Sequence, residues 1–204
     1  MKENISFRKD IARRMWLTKG SRYNACQRLQ NKYRWSIYSI SILTFYVLLI
    51  NLTQLFPKIF QNYGLEYTNF VSLALSIFIL IISLLESGNN YQVKAERLFN
   101  SANEVARLHD VLSQIPKDGR NQNIRKIQIV ASDYNDLIES CSENHEKIDL
   151  EMFKTQYPSE FGLNNFKVFT IKVRHWFAAY GLYALLISVS TYFVYLKYIY
   201  PVFD

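Results

Sequence analysis

The stretch NFVSLALSIFILIISLLESGNN, residues 69–90, is apolar enough to cross a membrane, yet it carries polar side chains at regular intervals. The intervals are seven residues long and form two interleaved rows: Asn69, Ser76, Ser83 and Asn90 in the first, and Ser72, Ile79 and Glu86 in the second. On a helix of about 3.6 residues per turn, all seven positions lie within one sector. The segment therefore predicts a membrane-spanning helix with a polar stripe along one side.

Two other stretches of the 204-residue chain share this apolar character. Residues 35–57 and 176–196 contain no charged side chain, and each run would extend about 30 Å as a helix, the thickness of a hydrocarbon core. Long buried helices in a soluble protein are the alternative, but three such runs in a short chain favour a membrane protein. The predicted spans are residues 35–56, 68–87 and 176–197.

The distribution of positive charge predicts the orientation. Residues 1–34 contain ten of the 24 lysines and arginines, and residues 89–175 contain twelve more. The positive-inside rule then places the N-terminus and residues 89–175 in the cytoplasm and the C-terminus outside, in a multi-pass protein of the cell inner membrane. The twelve cations of residues 89–175 are balanced by twelve acids, which argues against direct binding of nucleic acid. The basic N-terminal arm is attributed to attraction to the lipid bilayer.

These patterns predict an all-α membrane protein made of a transmembrane helical hairpin, a cytoplasmic antiparallel helical hairpin and an additional C-terminal transmembrane helix. Gly20 and Ser21 mark a possible break in the N-terminal arm. The predicted segments are a basic cytoplasmic arm (1–34), the transmembrane hairpin (35–88), the cytoplasmic hairpin with its linker (89–165), and an interfacial segment with the third span (166–204).

Heptad spacing predicts the two cytoplasmic helices. The first seam runs through Tyr91, Ala95, Leu98, Ala102, Val105, His109 and Leu112, and the second through Ile124, Ile127, Ala131, Tyr134, Ile138, Cys141, His145 and Ile148. A hairpin with two such seams has surfaces that one protomer cannot bury, so a homo-oligomer is predicted. Its interface is assigned to four positions of the first helix: Tyr91, Leu98, Val105 and Leu112.

Motifs for catalysis are missing from the sequence. The six glycines never pair into a phosphate-binding loop, and the three histidines lack metal-ligand spacing with the two cysteines. His145 and Asp149, four residues apart, are interpreted as a local helix contact. The sequence therefore predicts no enzyme, no catalytic residue, no metal and no cofactor.

The polar stripe of the second span has three interpretations. A serine can return its hydroxyl to a carbonyl of its own helix, at no cost to neighbouring helices. Small polar side chains allow membrane helices to approach closely, which is the ordinary packing role. Alternatively, several copies of the span surround an aqueous path lined by Asn69, Ser72, Ser76, Ile79, Ser83, Glu86 and Asn90. In that hypothesis a ring of Ile79 forms an apolar constriction, and a ring of Glu86 favours cations unless Arg34 neutralises it.

The basic N-terminal helix, the two-span hairpin and the charged helix LLESGNNYQVKAERLFNSANEVARL that leaves it resemble the SLATT proteins, as does the segment NHEKIDLEMFKTQYPSEFGL. The resemblance covers residues 8–175, and the third span departs from a two-span core. It implies an oligomeric, pore-forming membrane effector of antiviral defence (abortive infection), with a nucleotide-signalling or reverse-transcriptase protein as a partner. The alternative is a non-conducting, membrane-anchored interaction module or scaffold for a sensor or enzyme.

Overall fold

A computed structural model describes residues 2–53, 65–116 and 121–195 of the chain, and within these ranges it contains helices and no strands. The helices are α1 (Lys2–Thr53), α2 (Leu65–Gly88), α3 (Tyr91–Gln114), α4 (Asn121–Ser140), α5 (Lys147–Lys154) and α6 (Asn165–Val194). The all-α prediction is therefore confirmed.

Three of the described helices, α1, α2 and α6, are long and apolar enough to cross a membrane. They contain the three predicted spans except for the ends of the first and third. Residues 54–56 of the first predicted span lie outside the described residues, as does most of the short segment that leads to the second span. The chain is thus an all-α membrane protein with three candidate spans.

The helices form two compact units. The polar unit comprises residues 1–30 and 91–179, and the span unit comprises residues 31–90 and 180–204. Because α1 and α6 each contribute residues to both units, only α3, α4 and α5 lie wholly in the polar unit.

The core of the polar unit is a bundle of α3, α4 and the first half of α1. Arg8 near the start of α1 donates to the carbonyl of Ile115 just beyond α3, at 2.6 Å, whereas Tyr23 farther along α1 donates to Asn103, so α1 and α3 are antiparallel. Arg97 near the start of α3 reaches Ser142, just after α4, which makes α3 and α4 antiparallel as predicted. The sequence did not predict that α1 would be the third helix of this bundle.

The predicted break at Gly20 is wrong, because α1 is one helix of 52 residues. Gly20 serves close packing instead of a turn. A Cβ atom built on Gly20 would overlap the ring of Phe153, which belongs to α5 and is buried. Trp16, one turn earlier on α1, packs its ring edge-on against the same phenylalanine at 4.9 Å.

The second predicted seam extends eight residues, about two helical turns, beyond the end of α4. α4 ends at Ser140, and a separate helix, α5, begins at Lys147. His145 therefore lies in the connection between them, and its interpretation as a helical contact of Asp149 is wrong. Asp149 instead accepts the backbone N–H of Glu146 at 2.9 Å, a bond that fixes the first turn of α5.

Candidate functional site in the membrane-spanning helices

Among the described residues, side-chain hydrogen bonds join each pair of apolar helices in the span unit. The bonds are Ser72 Oγ to Asn51 Oδ1 (2.7 Å, α2 to α1), Tyr183 Oη to Glu86 Oε2 (2.8 Å, α6 to α2), and Tyr46 Oη with Thr191 Oγ1 (2.7 Å, α1 with α6). Each such bond contributes about 0.6–2 kcal/mol to association within a bilayer. Together they hold the spans in one arrangement.

The structure separates the two rows of the polar stripe. In the second row Ser72 is buried, while Ile79 and Glu86 are half-buried, so this row turns toward the other helices of the same chain. In the first row Asn69 and Ser76 are exposed. The packing interpretation thus accounts for the second row and leaves the first to be explained.

The last two residues of the first row, Ser83 and Asn90, lie on either side of the end of α2. Ser83 is half-buried, and its hydroxyl donates to the carbonyl of Ile79 at 2.8 Å, just as Ser76 donates to the carbonyl of Ser72. Asn90 lies beyond α2, with a positive φ of 50°, in the turn that leads into α3. The helical part of the first row is therefore Asn69, Ser76 and Ser83.

Glu86 illustrates what the sequence could not predict. The antiparallel hairpin suggested Arg34 as its partner, but Arg34 is exposed, and among the described contacts the carboxylate accepts its hydrogen bond from Tyr183. Tyr183 is 97 residues away and 4% exposed. Nothing in the sequence marked Tyr183 as the partner of Glu86, because it lies in a span with many aromatic residues. Asn51, the partner of Ser72, was easier to notice, because it is an amide inside the first apolar run.

Most of the α2 surface is not covered by the chain itself. Only 11% of its apolar window is buried, and side chains such as Phe70, Leu84 and Leu85 are about two-thirds exposed. Such a surface must contact lipid or further protein. The open side of α2 therefore combines a large apolar area with the polar side chains of the first row.

The four positions assigned to an oligomer interface lie elsewhere. Leu98, Val105 and Leu112 are at most 1% exposed and belong to the core of the polar unit, where α1 and α4 cover them. Tyr91 is half-buried. The heptad seam is thus filled within one chain, because the N-terminal arm occupies the place that a second copy was expected to take. An interface between copies would need other residues.

A buried ion pair ties α5 to α1. Arg28 Nε and Nη2 donate to the two carboxylate oxygens of Asp149 at 2.8 and 2.9 Å, and both residues are at most 2% exposed. His175 Nε2 of α6 lies 3.7 Å from the same carboxylate, and Glu146 makes a second ion pair with Arg28. Burial alone would raise the pKa of Asp149, but the contact with His175 and the hydrogen bonds and charge of Arg28 lower the pKa to about 2. Asp149 is therefore ionised and held in place.

The arginines of the N-terminal arm are partly structural, which corrects their attribution to lipid. Arg22 is 1% exposed and donates to Ser101 of α3. Arg8 bonds the last carbonyls of α3, where a cation also complements the helix dipole, and Arg14 lies over the ring of Tyr134 at 5.8 Å. Nothing in the sequence distinguished these arginines from solvated ones.

Burial also shifts the pKa of one cysteine and one histidine of the polar unit. It raises the pKa of the Cys26 thiol and, together with the charge of Arg22, lowers the pKa of His145. Within residues 2–53, 65–116 and 121–195, no group of three or more histidine, cysteine or acidic side chains is placed to hold a metal ion.

Comparison with known protein families gives a match over nearly the whole chain. Residues 4–196 match the model of the SMODS and SLOG-associating 2TM effector domain family 5. The match includes all of α6, so the third apolar helix lies within the matched residues, although the description of the family names two transmembrane helices. No curated protein and no solved structure matches the chain.

Proposed function

The chain belongs to the SMODS and SLOG-associating 2TM effector domain family 5, and from this premise we propose that it is an oligomeric effector that conducts ions across the cell inner membrane in antiviral, abortive-infection defence. A nucleotide-signalling or reverse-transcriptase protein is the proposed source of the activating signal. The resemblance first seen in the sequence and the family match support the effector role. The pore is argued from the span unit.

The observation that supports the pore is the first polar row of α2. Ser76 is exposed on a helix whose surroundings are otherwise apolar, and Asn69 and Ser83 extend the row above and below it. Packing within the chain uses Ser72 and Glu86 instead. Ser76 and Ser83 donate their hydrogens to carbonyls of their own helix, but their oxygen lone pairs can still accept, and they tend to face water or a polar partner because lipid offers no donor.

The bonding of the serines suggests which ions pass. Each hydroxyl of Ser76 and Ser83 gives its hydrogen to a carbonyl of its own helix, so the oxygen lone pairs remain available as acceptors. A ring of such oxygens, one set from each copy of α2, replaces part of the hydration shell of a cation. The bond from Tyr183 leaves Glu86 able to add negative charge near the end of the path. We therefore propose a path for small cations.

We expect Ser76→Leu combined with Ser83→Leu to abolish ion flux, because two leucines per copy would make the path apolar and too narrow for hydrated ions. The measurement is the fluorescence change of a cation-sensitive dye trapped inside vesicles that contain the purified chain, as cations enter them. Ala74→Leu adds the same bulk on the opposite, exposed side of α2 and should leave the flux unchanged. Equal flux in the serine variants and in the wild type would contradict the proposal.

Ile79 belongs to the second row but is only half-buried by the chain itself, and we retain it as a constriction of the closed path. Ile79→Ser should raise basal leakage and cell toxicity, because a hydroxyl at mid-span favours wetting. Toxicity is measured by induced expression, with Ile77→Ser as the matched control, since Ile77 is exposed on another side of α2. Equal toxicity of the Ile79→Ser and Ile77→Ser variants would contradict the role of Ile79 as a constriction.

A second candidate function is a non-conducting, membrane-anchored interaction module or scaffold. The well-packed polar unit favours this candidate, because a rigid bundle offers a defined surface to a sensor or enzyme. It predicts vesicles that never leak under any trigger, with serine variants that behave like the wild type. The flux measurement therefore distinguishes the two functions.

The orientation is proposed from the charge distribution, with the N-terminus and the polar unit in the cytoplasm. An enzyme reporter that works only outside the cytoplasm should then be active when it is fused after Asp204, because three spans place the C-terminus on the side opposite to the N-terminus. The same reporter fused before Met1 is the control and should give the opposite result. A C-terminal reporter that is active in the cytoplasm would show that α6 does not cross the membrane.

A further inference from the structure

The first part of α6 carries large aromatic rings on an exposed side. Phe166 is 76% exposed, Phe169 65%, Trp176 48% and Phe177 60%. On helical spacing the four rings lie within a sector of about 100°. So large an apolar surface on one side of a helix marks a contact with lipid or with another molecule. We call it the aromatic face of α6.

Cations border the aromatic face on both sides. Lys167 and Arg174 follow one edge and Lys172 follows the other, all three are exposed, and the sequence of α6 contains no acidic residue. Arg174 also contacts Glu151 at 3.3 Å, which offsets part of its charge. The opposite side of the helix packs within the polar unit, where His175 approaches Asp149. Lysines beside aromatic rings are typical of segments at a membrane surface.

The length of α6 brings this segment to the headgroup layer. Its 30 residues extend about 45 Å, whereas the hydrocarbon core is only about 30 Å thick and needs about 20 residues, so about 15 Å of the helix lies outside the core. If residues 176–195 cross the hydrocarbon, residues 165–175 continue without a break through the adjoining headgroups. The helix therefore carries its cations past the lipid phosphates.

We propose that the aromatic face of α6 lies within the headgroup layer of the bilayer, and that Lys167, Lys172 and Arg174 bind the phosphates of anionic lipids. The rings reach toward the acyl boundary, and the long cationic side chains extend to the headgroups. This site does not depend on whether the chain conducts ions. The proposal assigns lipid binding to α6, whereas several arginines of the N-terminal arm make contacts within the polar unit.

A second copy of the chain is a less suitable occupant of this face. If two aromatic faces packed together, Lys167, Lys172 and Arg174 of both copies would lie near one another, with no acid on either α6 to compensate. Like charges opposed in this way destabilise an interface. An anionic lipid surface supplies the opposite charge along the whole segment.

The first test measures whether the aromatic face reaches lipid. The full chain carrying Cys141→Ser and either Phe166→Cys or Phe169→Cys is labelled with an environment-sensitive fluorophore in phosphatidylcholine–phosphatidylglycerol vesicles; Cys26 is buried and does not compete for the label. We expect blue-shifted emission that brominated acyl chains quench. The matched control is Ile129→Cys, an exposed apolar position on α4, whose label should remain water-like.

The second test measures selectivity for anionic headgroups. Lys167→Gln with Lys172→Gln should lower the amount of phosphatidylglycerol retained over phosphatidylcholine, measured by native mass spectrometry, by roughly an order of magnitude. Arg125→Gln with Lys126→Gln removes two exposed cations from α4 and should change nothing.

Three results would overturn the proposal. Labels at 166 and 169 could stay water-like in vesicles of either composition. Alternatively, the emission of these labels could shift to the blue in lipid-poor detergent as the protein concentration rises, with no quenching by brominated lipid. That result would assign the aromatic face to contact with a second copy. Finally, the lysine variants could retain as much phosphatidylglycerol as the α4 control.

Discussion

Asp149→Ala should lower the free energy of unfolding of the polar unit by about 3–5 kcal/mol, because it leaves the buried Arg28 guanidinium without its carboxylate. The loss should appear as a large drop in the melting temperature of the detergent-solubilised chain, followed by circular dichroism. The same substitution also removes the bond to the Glu146 N–H that fixes the first turn of α5.

Glu146→Gln is the matched control for this prediction. Its carboxylate contacts Arg28 at 2.8 Å, as Asp149 does, but the side chain is 65% exposed, so water replaces the lost interaction and the melting temperature should hardly change. The double variant Arg28→Met with Asp149→Leu should be much closer to the wild type than either single change, since no unpaired charge is then buried. Losses that simply add in the double variant would contradict the assigned pairing.

The same pair predicts a dependence on pH. The pKa of Asp149 is lowered to about 2 in the folded chain, below its value of about 4 when unfolded. The stabilisation from this carboxylate is therefore complete above about pH 4 and is lost as the pH falls toward 2. Asp149→Asn should flatten the fall in melting temperature over this range, whereas a parallel curve would show that other carboxylates cause it.

Gly20→Val should destabilise the polar unit strongly, although valine is a better helix former than glycine by a few tenths of a kcal/mol. A Cβ at this position overlaps the Phe153 ring, which is 6% exposed and held between Trp16 and Tyr157. Overpacking of this kind typically costs about 1–3 kcal/mol and can displace the element concerned, here α5. The expected result is a lower melting temperature together with faster proteolysis near α5.

Gly88 provides the comparison, because a Cβ there meets nothing within 4 Å. Gly88→Ala should therefore be neutral, whereas Gly20→Ala should already destabilise the chain. Replacing Phe153 by Leu in the Gly20→Ala background should recover part of the loss, since the smaller side chain frees the space that the Cβ requires. A Gly20→Ala variant as stable as the wild type would show that the aromatic cluster can shift.

The sequence by itself determined the class of the protein and its helices. Runs without charge are long enough to cross a bilayer whatever their neighbours are, so three candidate spans were readable from residues 35–57, 69–90 and 176–196. Heptad spacing likewise fixed which sides of α3 and α4 are buried, and Leu98 and Val105 do lie in a core. These are local properties of period and length.

Only the tertiary structure decided what each side chain contacts. Arg28 and Asp149 are 121 residues apart, and Tyr183 and Glu86 are 97 apart, so no local pattern records either pair. The same limit explains the seam of α3: its apolar spacing shows that something covers it, but the chain's own N-terminal helix and a second protomer would bury the same area. Periodicity specifies that a surface is buried, whereas the identity of its partner depends on distant residues whose packing is set by the whole chain.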